Sequence, residues 1–119
     1  MEEKVVEEKS IDISWEVLLN QLEVLVGKRP VDLNAVLFLI GVQELGTGPK
    51  RFSKEAKQDL MHIAVCRVLS LSGYYVFEGN DKDGWPQWTL AKPIPQGDLL
   101  AQEGFLKQHI IHYFETQLV

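Results

Sequence analysis

The sequence predicts a mainly α-helical domain, compact and single, with about four helices and one small β-hairpin between the third and the fourth. Three observations lead there. Apolar residues recur at helical spacing in four separate stretches. Glycine and proline clusters at 27–30, 46–49 and 93–97 divide those stretches. Between the third and fourth, Tyr74-Tyr75-Val76-Phe77-Glu78 and Trp85 to Ala91 flank the turn-rich Gly79-Asn80-Asp81-Lys82-Asp83-Gly84, the pattern of two strands around a longer loop.

Residues 1–12 carry five acids against two lysines, a net of −3, and read as a mobile or edge-pairing lead ahead of a helical domain over 13–119. Ser14 is the expected N-cap of the first helix, which buries Trp15, Leu18, Leu19, Leu22, Leu25 and Val26 while Glu16, Asn20 and Glu23 face away. Gly27 and Pro30 end it.

Asp32 is the next cap. Leu33 to Leu45 is apolar on all sides, which suits a buried strand or a central helix. Its length and the helix-forming Gln43-Glu44 favour the helix. Gly46-Thr47-Gly48-Pro49 stops it, Ser53 caps a third helix from Lys54 to about Ser72, and Gly73 closes that one. Pro86 confines the second strand of the hairpin, expected at about 74–91, to an edge. A fourth helix from Gln96 or Asp98 to about Gln117 should bury Leu99, Leu106, Ile110, Tyr113 and Phe114.

Composition narrows the function classes. With 119 residues, 45% hydrophobic and 24% charged, the chain can bury a core without disulfides. A net charge of −5 argues against general nucleic-acid binding, which needs a broad cationic face. Cys66 is the only cysteine, so neither an intrachain disulfide nor a multi-cysteine zinc site is available. The acidic start is unlike a secretory signal, and the apolar run from Ala35 to Val42 is far shorter than the ~20 residues of a membrane span. A cytoplasmic location with no membrane association is the expectation.

The sharpest single feature is Arg67. On a helix its stripe neighbours are Leu60, Ile63, Ala64 and Leu71, all apolar. A guanidinium placed there needs an acid or an anion. Glu44, near the end of the preceding helix, is the expected partner, making a structural ion pair. The alternative is a small-anion or enzyme pocket around Arg67 and Glu44, opening near Lys50 and His62.

Two surfaces are candidates for recognition. Residues 50–57 hold Lys50, Arg51, Lys54 and Lys57 against Glu55, a net of +3 at a helix N-terminus. A glycine-rich turn with solvated lysines is the plain reading, and an anion or an acidic partner segment is the functional one. This loop lacks the Walker A spacing. The hairpin concentrates Tyr74, Tyr75, Phe77, Trp85 and Trp88, and since only one face of a hairpin can lie on helices, some of these rings should stay exposed.

Other constellations are weaker. His62 and Cys66 stand at i,i+4, and His109, His112 and Glu115 at i,i+3,i+6, spacings that suit zinc only if the two sets meet; ordinary hydrogen-bonded histidines are the preferred reading. A Cys/His nucleophile lacks an identifiable orienting group. Residues 79–90 fail as a calcium loop, because Gly79 and Leu90 occupy positions that require acids. No cofactor or metal is expected. The stretch Gln43 to Tyr75, with its Gly-Thr-Gly-Pro turn and capped helix, resembles that of small bacterial proteins, a likeness that carries over no chemistry. The sequence therefore points to a non-catalytic binding or protein-interaction module whose partner is another protein or a second copy. Lys50, Arg51, Lys54, Trp85 and Trp88 are its expected contact residues.

Overall fold

The computed structural model describes the backbone of residues 2–48 and 50–117, with side chains from Ser10 onward. In chain order the elements are α1 (Glu2–Val26), α2 (Leu33–Leu45), α3 (Lys54–Ser70), β1 (Tyr75–Asn80), β2 (Pro86–Leu90) and α4 (Leu99–Gln117). Four helices with one hairpin between the third and fourth is the predicted fold. The chain divides into one unit of residues up to 33 together with 96 onward, and a second of residues 34–95.

In the first unit α1 packs against α4. The acidic lead is not a strand: residues 2–12 are the opening turns of α1, and Ser14 lies inside the helix rather than capping it. Glutamates at the start of a helix complement the positive end of its dipole, so the charge pattern read as a lead is compatible with helix from the outset. Trp15, Leu18, Leu19 and Leu22 of α1 are buried, as are Ile110 and Tyr113 of α4. Leu25 and Val26, expected in the core, are 66% and 50% exposed, because the buried arc of α1 closes at Leu22. Gly27 then takes a left-handed φ of 82° and donates to the Glu23 carbonyl at 2.9 Å. Beyond it, Arg29 reaches back to the side chains of Glu16 and Asn20. Asp98 caps α4, its carboxylate accepting from the Ala101 N–H at 2.8 Å. Leu99, in the first turn, is exposed rather than buried, while Leu106 and Phe114 are half-buried.

In the second unit α2 is a helix, as its length predicted, but it is not enclosed on every side. Val36, Leu37, Ile40 and Gly41 are fully buried, and the other apolar positions keep partial exposure. Gly41 is where α2 meets α3: a Cβ there would press on the carbonyl oxygen of Leu60 and stand 2.7 Å from its carbonyl carbon. Only glycine permits this approach. Ser53 caps α3 by accepting from the Ala56 N–H at 3.1 Å. Leu60, Ile63, Ala64, Cys66, Val68 and Leu69 form the buried side of that helix. Its C-terminus closes in a Schellman arrangement, with the Tyr74 N–H on the Leu69 carbonyl at 3.2 Å, the Gly73 N–H on the Ser70 carbonyl at 3.0 Å, and Gly73 at φ 80°.

That closure aims the chain into β1. The antiparallel register pairs Tyr75 with Leu90, Val76 with Thr89 and Phe77 with Trp88, then slips before Asn80 meets Pro86. Both strands pack on α3. Pro86 begins β2, and each strand of this two-stranded sheet is an edge. The Asp81 carboxylate organises the turn by accepting from the N–H groups of Asp83 and Trp85, both at 2.9 Å, with Gly84 at φ 86°.

Candidate functional site

Arg67 projects from the last turns of α3, and Glu44 from the end of α2. The Gly41 contact sets those two helices close enough for the side chains to meet: Arg67 Nε lies 3.0 Å from Glu44 Oε1. The expected pair is thus formed. It is not sealed in the core, since the two side chains are 22% and 23% exposed. Arg67 keeps its stripe because long stems snorkel. Leu60, Ile63 and Ala64 are buried beneath it, and Leu71 is half-buried. Ser70 adds a third polar group, donating to the Arg67 carbonyl at 2.6 Å and lying 3.4 Å from Arg67 Nη1.

The pair lines one side of an open depression of about 550 Å³. The hairpin supplies the other side through Tyr75, Phe77, Trp88, Asn80 and Pro86. Phe77 and Trp88 face each other across the strands at 5.2 Å between ring centres, tilted by 54°. The indole Nε1 of Trp88 is buried and has no hydrogen-bond partner among the described residues. Neither Lys50 nor His62 lines this depression, so the pocket envisaged as opening toward them does not have that outline.

His62 instead joins Trp85, Asp59, Asp81 and Asp83 around an adjoining, more polar recess of about 430 Å³, which shares Pro86 and Trp88 with the first. The four cations of 50–57 stay apart from both: Lys50 lies 5.4 Å from the Phe52 ring centre, Phe52 packs edge-on to Phe38 at 6.0 Å, and Arg51, Lys54 and Lys57 are exposed. The expected contact residues are therefore distributed over three places. Glu44, Arg67 and Trp88 come together, Trp85 sits in the neighbouring recess, and Lys50, Arg51 and Lys54 form the start of α3.

Burial of the hairpin aromatics does not follow strand alternation, since Tyr75 and Phe77 share one face with their cross-strand partners Leu90 and Trp88. Tyr74, Tyr75, Trp85 and Trp88 are half-buried; Phe77 is 50% exposed and Leu90 53%. Lys92 covers Tyr74 at 4.4 Å.

The thiol and histidines adopt local roles. Cys66 Sγ lies 3.5 Å from His62 Nε2. Burial pushes the Cys66 thiol up to about 11, only partly offset by a backbone hydrogen bond, which leaves it protonated and a poor nucleophile near neutral pH. Tyr75 is likewise raised, first by burial and then by the charge that Cys66 acquires on ionising. His109 Nδ1 lies 2.8 Å from the Phe105 carbonyl, the hydrogen-bonded arrangement preferred from the sequence. Among the described residues no three His, Cys, Asp or Glu side chains are grouped to hold a metal ion. Likewise no described helix is long and apolar enough to cross a membrane.

One surface escaped the sequence reading. In the first unit, Ile13, Val17, Leu18, Val24 and Leu25 of α1 and Ile111 and Phe114 of α4 line an apolar groove of about 670 Å³. Its signal lies in the spacing of Ile13, Val17 and Val24, which fall outside the stripe of Trp15, Leu18, Leu19, Leu22, Leu25 and Val26 expected to be buried and have no role in that expectation.

Comparison with protein-family models, curated proteins and solved structures finds no match to this chain.

Proposed function

We propose that this protein is a non-catalytic interaction module that holds a partner protein on the aromatic face of its hairpin. The observation that carries the reading is the half-exposure of Phe77 and Leu90 on the strand face that also bears Tyr75 and Trp88, next to an ion pair that is already neutralised. Exposed aromatic and aliphatic groups beside a polar rim are the usual composition of a recognition surface. The open edges of the two strands add unsatisfied backbone groups to which an extended partner segment can pair. Cationic Lys50, Arg51 and Lys54 supply a second contact for an acidic segment. A single buried thiol suits a reducing compartment such as the cytoplasm.

The test is affinity capture from the source cell with the intact chain as bait, repeated with Phe77→Ser/Leu90→Ser and with Lys50, Arg51 and Lys54 all changed to Ser. Specific proteins retained by the natural chain and lost with either variant support the module. An identical set of captured proteins for all three baits refutes it.

A second reading, a small ligand seated against Arg67 and Glu44, draws on the buried Trp88 Nε1–H, a donor that an acceptor atom on a ligand would satisfy. A ligand library screened by thermal shift separates the two: a stabilising compound whose effect disappears in Trp88→Phe favours the pocket.

A further inference from the structure

We infer that the two recesses on either side of Trp88 form one bipartite site for an extended peptide segment in which an arginine stands two residues from an apolar side chain. The inference rests on the proposed hairpin reading and names the chemistry of its partner. The recesses adjoin, with Pro86 and Trp88 as their common wall, but their linings differ. One presents the rings of Tyr75, Phe77 and Trp88. The other sets Trp85 beside the carboxylates of Asp59, Asp81 and Asp83. At about 550 and 430 Å³, each falls within the ~300–1,000 Å³ usual for a ligand site. In an extended segment, side chains two residues apart lie on the same side and about 7 Å apart along the chain. One such pair suits two recesses that meet at a shared wall.

Charge decides which residue enters the polar recess. The Asp81 carboxylate is taken up by the turn, accepting from the N–H groups of Asp83 and Trp85. Asp59 and Asp83 are exposed and form no ion pair or side-chain hydrogen bond among the described residues. Two uncompensated negative charges, one from α3 and one from the hairpin turn, thus face one recess, and among the described residues no lysine or arginine lines it. The acids are spread too widely for a metal ion, since no three His, Cys, Asp or Glu side chains among the described residues are grouped to hold one. A guanidinium spans further. It is planar, carries several N–H donors in a fixed fork and stacks on an indole face, which the half-buried Trp85 supplies, whereas an ammonium concentrates its charge at one point. Trp88 then favours a peptide over a free cation. Its buried indole N–H has no acceptor among the described residues, and a buried donor left unpaired is costly. The backbone carbonyl beside the arginine is such an acceptor, reached once a small turn of the ring uncovers the N–H.

Panning a random heptapeptide phage library on the intact chain tests the proposal, followed by fluorescence polarisation with the most enriched sequence as a labelled synthetic peptide. Enriched sequences are expected to carry arginine with an aliphatic, aromatic or proline residue two positions away. Asp59→Asn/Asp83→Asn, at exposed positions, should leave the far-ultraviolet circular dichroism unchanged and raise the Kd at least tenfold. Asp59→Asn alone, expected to raise it by about threefold or more, serves as the check if the double variant fails to fold. Replacing the peptide's arginine by lysine should also weaken binding. Absence of any enriched peptide overturns the proposal, as does enrichment of lysine in place of arginine, or a Kd that a folded aspartate variant leaves unchanged. Enriched peptides that lack arginine and no longer bind Phe77→Ser/Leu90→Ser overturn it while supporting the hairpin reading, so the two failures give different results.

Discussion

Arg67 and Glu44 join the third helix to the second through a single ion pair, Nε to Oε1 at 3.0 Å, held at the margin of the core rather than within it. Its partial exposure decides its energetic weight. Removing one partner of a fully buried pair costs roughly 3–5 kcal/mol, whereas an exposed pair is worth about 0–1 kcal/mol. Glu44→Ala is therefore expected to destabilise the fold by about 1–2 kcal/mol, and Glu44→Leu/Arg67→Met to recover most of that loss. Urea denaturation of the two variants checks it; a loss for Glu44→Ala below the measurement error would show that the pair is only decorative.

Gly41→Ala should reverse the usual sign of a helix substitution. In an open helix alanine in place of glycine stabilises by up to about 1 kcal/mol. Here the added methyl meets the Leu60 backbone, which cannot swing aside as a side chain would. A loss of about 2 kcal/mol or more is expected, read as a lowered Tm, together with weakened coupling between Glu44 and Arg67.

Ionisation of Cys66 gives a pH dependence of known sign. Its folded-state value is raised to about 11 from an ordinary value of 9.0, so the native state holds the proton more tightly than the unfolded chain does. The associated stability is fully present below about pH 9 and is lost as pH rises toward 11. Tyr75 acts in the same direction. Denaturation midpoints of the natural chain and Cys66→Ala across that range should converge as pH rises. At pH 8 the thiol should react with iodoacetamide far more slowly in the folded chain than in urea.

Asp81→Ala should loosen the hairpin turn, since two backbone N–H groups lose their acceptor. The expected cost is about 1 kcal/mol, with faster amide exchange at Asp83 and Trp85. Calcium should not alter the exchange of the natural chain, because that carboxylate is already engaged by the turn. Protection on adding calcium would contradict this assignment.

The order and type of the elements, the Ser53 cap, the Gly73 stop and the partnership of Arg67 with Glu44 were all determined by the sequence alone. Each depends on local backbone preferences or on a charge that must be compensated within reach along two successive helices. Tertiary structure decided what spacing cannot express. Periodicity locates an apolar stripe but not where burial ends, so Leu25, Val26 and Leu99 were expected in the core and emerged at the surface. The helix starting at Glu2 rather than after Ser14 reflects the same limit, since a charged segment is compatible with either state until long-range contacts choose. Gly41 read as one more residue of an apolar run until the Leu60 backbone was placed against it. The candidate contact residues separated into three surfaces for a related reason: proximity across the fold is a sum over many packing contacts, and no single motif encodes it.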